Sequence, residues 1–187
     1  MKNKCMLVVI LLILSGTAFA KIVLPPIFSD NMVLQQQTNA PIWGEAQPMK
    51  TVKVTTSWDG KTYAVQADKA GKWKVTVHTP VAGGPYEIAL TDGKKVNLKN
   101  VMIGEVWICS GQSNMAFMVK ESSHIEQSIA NVEGKDIRLY DMKPRVITNN
   151  IEWDSLDLVK LNNHDYYLPT SWQLQNKQNV NDFSAVA

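Results

Sequence analysis

Between Lys50 and Leu98 the chain alternates apolar and polar residues. Val52, Val54, Thr56 and Trp58 fall on one parity, and Thr51, Lys53, Thr55 and Ser57 on the other. The pattern returns in Tyr63 and Val65, in Trp73, Val75 and Val77, in Tyr86, Ile88 and Leu90, and in Val96 and Leu98. A period of two places one set of side chains on one face of a strand. Turn signals separate the runs: Asp59-Gly60, Ala70-Gly71, Gly83-Gly84-Pro85 and Asp92-Gly93. Asp-Gly in particular tolerates positive φ at both positions of a hairpin turn. Short strands with one apolar face and frequent turns predict a β-sandwich domain over residues 21–100.

The character changes near Asn100. Val101 to Cys109 is apolar on both parities apart from Gly104 and Glu105, which predicts a strand buried in a mixed or parallel sheet. Ser123-His124-Ile125-Glu126 fits a capping box, with Ile125 and Ile129 one turn apart and Gly134 as a stop. Ile137 and Leu139, with Met142, predict a further strand. Strand, helix, strand implies an α/β unit with a right-handed crossover. Pro144 to Gln178 is polar and irregular. Asn181 or Asp182 caps a predicted helix starting at Phe183. An α/β layer needs several strands with helices on both faces, and two strands are legible. The fold class is therefore a β-sandwich followed by an incomplete α/β domain over residues 101–187.

Residues 1–20 read as a separate unit. Lys2 and Lys4 precede an apolar run from Cys5 to Leu14, and the segment ends on Ala18-Phe19-Ala20. This is the pattern of a cleaved secretory signal peptide. It implies a periplasmic or secreted protein with no membrane attachment after cleavage. Cys109 is then the one cysteine left, so burial and not a disulfide must supply stability. With 19 Lys+Arg against 17 Asp+Glu, the net charge of +2 gives no electrostatic footprint for nucleic acid.

The segment Ser110-Gly111-Gln112-Ser113-Asn114 interrupts the apolar run before Met115. A strand-to-helix turn there projects Ser113 from the end of a sheet, beside the unpaired N–H groups of a helix start. Such donors stabilise an oxyanion, and Gly111 permits close backbone approach. A serine hydroxyl still needs a base. His78 lies at the end of a strand, His124 within the capping box and His164 in a polar loop, and none is marked as that base. Local chemistry leaves two readings open: a polar turn that caps a helix, and a catalytic serine.

Gly104 to Met115 resembles the nucleophile segment of the sialate O-acetylesterase family, carbohydrate esterases of the SGNH-hydrolase type. Leu24 to Gln35 is similar to that family's opening segment. Trp43-Gly44, Gly71-Lys72-Trp73 and Ala82 to Tyr86 resemble its β-domain, and Asp182 to Val186 the start of a family helix. The resemblance implies Ser113 as nucleophile, forming an acetyl-enzyme, with its backbone N–H as an oxyanion donor. Gln112 and Asn114 become candidate substrate contacts. The substrate implied is an O-acetylated sialic acid or related glycan, with no cofactor and no metal. The family's Asp and His pair and its further oxyanion groups come from later segments than this sequence contains, so the chain is expected to be an inactive N-terminal part. Met49-Lys50 stands where the family usually has a glycine-containing turn, and Glu45 where it often has an aromatic residue. The alternative is a non-catalytic carbohydrate-binding or adhesion module on the β-sandwich, although Trp58, Trp73 and Tyr86 fall on the inward parity.

Overall fold

The computed structural model describes residues 21–111, 113–123, 125–130, 132, 136–144 and 167–187. The expected signal peptide over 1–20 and the helix stop at Gly134 lie outside the described residues.

Seven strands carry the first half: β1 (Val33–Gln35), β2 (Asn39–Glu45), β3 (Thr51–Thr56), β4 (Thr62–Gln66), β5 (Lys72–His78), β6 (Gly83–Thr91) and β7 (Lys95–Gly104). They form a five-stranded mixed sheet in the order β1-β7-β6-β3-β4, and a two-stranded antiparallel sheet of β2 with β5. The β1–β7 pair is parallel, with Val33 opposite Met102 and Gln35 opposite Gly104. The other neighbours in the large sheet are antiparallel.

Side-chain parity follows the sequence alternation. Val52, Val54 and Thr56 of β3 and Ile88 and Leu90 of β6 are fully buried. From the small sheet, Ile42, Trp73 and Val77 enter the same core, with Trp58, Tyr63, Val65 and Tyr86 packed at its margin. Fully burying one Val, Leu or Ile side chain stabilises by roughly 1.5–3 kcal/mol, which makes this shared core the main source of stability.

Several boundaries differ from the sequence reading. The Asp59-Gly60 connection is wider than a two-residue hairpin, since β3 ends at Thr56 and β4 starts at Thr62. Asp59 organises it, accepting from Thr56 Oγ1 at 2.5 Å and from the Lys61 N–H at 3.1 Å. Gly83-Gly84-Pro85 does not break the chain but lies inside β6, where the register shifts on either side of Tyr86. Gly84 has φ of 138°, and a Cβ there would sit 2.6 Å from Met102 Sδ. The strand expected to reach Cys109 stops at Gly104. A strand persists only while a neighbour pairs with it, and the last rungs are Gln35 with Gly104 on one side and Gly83 with Ile103 on the other.

Beyond β7 lie α1 (Ser113–Ala116), a 3-10 turn (Val119–Glu121), α2 (Ile125–Ala130), β8 (Arg138–Leu139), β9 (Gln173–Leu174) and α3 (Lys177–Asn181). The β8–β9 ribbon is antiparallel. Hydrogen bonds tie the ribbon and the residue before β9 to the first half of the chain. Arg138 donates to the backbone oxygen of Asn100 and, at 3.1 Å, to its Oδ1. Trp172 Nε1 donates to the Ile27 carbonyl at 2.8 Å. The helix predicted to start at Phe183 instead ends before it. Asn176 caps α3 by accepting from the Gln178 and Asn179 N–H groups, and Asn179 Oδ1 accepts from the Asn176 N–H at 2.9 Å. This amide-only capping box starts a helix at Lys177, ahead of the one that an Asp182 cap would start at Phe183.

Candidate active site

Ser113 begins α1 and is exposed. Residues 105–111 lead to it from the end of β7 without strand structure, and all are exposed. Trp107 is 82% and Ile108 93% exposed, so the described residues leave these two side chains largely uncovered. Gly111 lies close under the helix. A Cβ there would approach Met115 Cβ to 3.1 Å, tighter than a side chain normally sits.

Side chains from β1 and the residue after it staple the root of the segment. Gln36 Nε2 donates to Glu105 Oε1 at 2.5 Å and Gln35 Nε2 to Glu105 Oε2 at 3.1 Å. Gln35 Oε1 in turn accepts from the Val106 N–H at 2.9 Å. The amides of Gln36 and Gln35 hold the Glu105 carboxyl below the ordinary carboxylate range.

The far side of the turn is held by the last residues of the chain. The Val119 N–H donates to the Phe183 carbonyl at 3.0 Å and the Ala185 N–H to the Phe117 carbonyl at 2.8 Å. Met118 and Ser184 form the antiparallel bridge between those bonds. Ser184 Oγ contacts Met115 Sδ at 3.3 Å, and Lys120 Nζ pairs with Asp182 Oδ1 at 2.8 Å. The residues that resemble the start of a family helix are thus not helical but a turn and bends around the Ser184 bridge, and they clamp the segment after α1.

The structure places the expected site residues unevenly. Ser113 and Asn114 stand together at the exposed start of α1. Gln112 lies outside the described residues, as do His124 and His164. His78 is at the exposed end of β5 as expected, with Nδ1 3.3 Å from Asn39 Oδ1. Among the described residues no contact joins an imidazole to Ser113. The clamp residues Asp182 to Ala185 and the Gln35–Gln36 staple were not singled out as site residues, because their roles depend on contacts across 60 residues or more of chain. Among the described residues no three His, Cys, Asp or Glu side chains gather as a metal site.

No protein-family model matches the chain. It is 31% identical over 135 residues to a sialate O-acetylesterase of Pongo abelii, covering 66% of this chain and 26% of that protein. It is 32% identical over 127 residues to the Homo sapiens sialate O-acetylesterase, covering 62% of this chain and 24% of that protein. The chain therefore spans about a quarter of the length of these relatives. Among solved structures, a carbohydrate acetylesterase from Xanthomonas citri superposes with a TM-score of 0.68 at 26% identity, over 89% of this chain and 35% of the other.

Proposed function

The chain belongs to the sialate O-acetylesterase family, and we propose that it carries the nucleophile of a serine esterase acting on O-acetylated glycans. Ser113 attacks the acetyl carbonyl, the bond from the acyl carbon to the sugar oxygen breaks to release the glycan hydroxyl, and water hydrolyses the resulting acetyl-enzyme to acetate and free serine. Its own backbone N–H, at the open start of α1, donates to the oxyanion. Gln112 and Asn114 contact the glycan. The observation that carries this reading is the double tether of an otherwise exposed serine turn, by Gln35 and Gln36 before it and by Phe183 to Ala185 after it. A turn that only ended a strand would need neither. Preorganised donors and a fixed nucleophile are what acyl transfer requires.

The imidazole that activates Ser113 comes from residues other than these 187, as does the rest of the oxyanion hole. Two observations support this: the chain spans a quarter of its relatives, and His78, the one imidazole among the described residues, is engaged with Asn39 and not with Ser113. On this reading the family's β-sandwich runs to the end of β7 at Gly104, four residues past the boundary expected at residue 100, and the residues after it are the first part of its SGNH-type α/β domain. Residues 1–20 direct it to the periplasm or the exterior.

The test is hydrolysis of an aryl acetate. The 187-residue chain alone is expected to give no appreciable turnover. A polypeptide extended to the relatives' full length is expected to turn over, and to lose about three orders of magnitude or more on Ser113→Ala. Turnover that survives this substitution sinks the serine assignment. Turnover by the short chain that Ser113→Ala abolishes would instead place the base within it.

A further inference from the structure

Three stretches far apart in sequence meet where the chain leaves β7. They are the end of β1 at Gln35-Gln36, the connection from β5 to β6 at Thr79 to Ala82, and the root of the serine segment at Glu105-Val106. The last rung of the parallel β1–β7 ladder pairs Gln35 with Gly104, and the Gln36 N–H donates to the Gly104 carbonyl at 2.9 Å. In a parallel ladder the Gln36 carbonyl would next accept from the Val106 N–H. The chain turns away instead. Gln37 is in the left-handed region with φ of 49°, and its N–H donates to the Pro80 carbonyl at 2.9 Å.

Side-chain amides take the place of the departed strand. Gln35 Oε1 accepts the Val106 N–H at 2.9 Å, and Gln36 Oε1 accepts the Ala82 N–H at 2.8 Å. Each amide oxygen is thus held by a backbone donor, which fixes the way each amide faces. Their NH2 groups converge, and both donate to Glu105, at 3.1 Å from Gln35 and 2.5 Å from Gln36. An ionised carboxylate only accepts, so it can receive both donors at once. The Gln35 backbone is anchored from the core in turn. Thr79 is fully buried, and its Oγ1 donates to the Gln35 carbonyl at 2.7 Å.

Such a cluster fixes register. A slip of one residue at the root would carry the segment forward by about 3.3 Å and reverse the face that its side chains present. It would also leave the two converging NH2 groups without their carboxylate. We infer that Gln35, Gln36 and Glu105 form a register lock that sets how the Ser113 segment leaves the five-stranded sheet, and that all three are positioning residues for that serine. The inference rests on the serine-esterase reading for what is positioned, but the lock itself needs no ester chemistry. None of the three touches the ester. Each acts through the backbone at residues 105 and 106.

Exchanging the partners tests it. Glu105→Gln sets amide NH2 against amide NH2, and Gln35→Glu sets carboxylate against carboxylate. The double variant restores every bond. Its carboxylate at 35 accepts from the Val106 N–H and from the amide at 105, whose oxygen accepts from Gln36. The first readout uses the 187-residue chain with Cys5→Ser and a nitroxide on the exposed Cys109, four residues beyond Glu105. Each single substitution is expected to narrow the label's resonance lines, and the double variant to broaden them again. The second readout is aryl acetate hydrolysis by the polypeptide extended to the relatives' length, per folded molecule and well below each variant's melting point. Each single substitution should lower kcat about tenfold or more with KM within about twofold, and the double variant should recover most of the loss. Single variants that match the unaltered protein in both readouts overturn the inference. So does a double variant no better than the worse single one, or a label response without any change in kcat. Turnover indifferent to Ser113→Ala, with the label response intact, would mark the failure of the serine reading. Serine-dependent turnover that ignores the single substitutions counts against the lock alone.

Discussion

Lys120 Nζ lies 2.8 Å from Asp182 Oδ1, joining residues 62 apart in sequence at the exposed edge of the clamp. The hydrogen bond from Lys120, and its charge, hold the Asp182 carboxyl below its ordinary range. The same contact with Asp182 raises the Lys120 ammonium. A depressed carboxyl pKa stabilises above its unfolded value and is lost as pH falls through the folded one.

The clamp is therefore expected to hold at neutral pH and to loosen below about pH 4, where carboxylates protonate. Hydrogen exchange at the Val119 and Ala185 amides, corrected for intrinsic rates, reads this directly. Asp182→Asn should give the loosened rates already at neutral pH. Equal protection in the variant and the unaltered chain would show that the backbone bonds hold alone.

Ile103 and Ile108 belong to one apolar run, yet the first is buried and the second is 93% exposed. Ile103→Ala should cost about 2–5 kcal/mol in chemical denaturation. Ile108→Ser should stay within about 0.5 kcal/mol. A large loss from the second substitution would mean that residue 108 is packed in solution.

Met49 occupies the left-handed region with φ of 61°, at the turn where relatives of this type were expected to carry glycine. Left-handed backbone costs a residue with a Cβ roughly 1–2 kcal/mol, partly offset by the greater unfolded freedom of glycine. Met49→Gly is predicted to raise stability by about 0.5–1 kcal/mol, and Met49→Val to lower it. Thermal melts of the three proteins should fall in that order.

Arg138 joins the β8–β9 ribbon to Asn100, itself in the left-handed region with φ of 54° and bonded through Nδ2 to Asn31 Oδ1 at 2.7 Å. Arg138→Met keeps the stem and removes these donors. Bonds of this charged kind contribute about 1.5–3 kcal/mol. The Gln175 amide, bonded to the Ile137 carbonyl, should then exchange faster while the β3–β6 amides keep their rates. Uniform acceleration across both would indicate global destabilisation instead of a released ribbon.

Legibility in the sequence followed amplitude. Strands β3, β5 and β6 announce themselves because Val, Trp, Ile and Leu alternate with Lys and Thr. Strand β2 alternates as strictly in space, but its inward residues include Ala40 and Gly44 while Trp43 points outward. Its pattern is therefore weak or inverted when hydrophobicity alone is read. At Gly44 a side chain would run into the Val23 carbonyl, a constraint that no local pattern carries. Strand β1 is three residues long and exists because β7 lies parallel beside it. At the site, Ser113 was legible from its motif, whereas the residues that tether its turn were not.

Side-chain parity and the turns at Asp59-Gly60, Ala70-Gly71 and Asp92-Gly93, with the serine at the head of a helix, were determined by the sequence alone. Each depends on neighbours a few bonds away, through dihedral preference and the two-residue strand period. Tertiary structure decided where β7 stops, that Asp182 to Ala185 clamp instead of coil, and that Gln35 and Gln36 meet Glu105. Those outcomes turn on whether a distant segment is present to accept a hydrogen bond or cover a side chain, and only the folded chain supplies that partner.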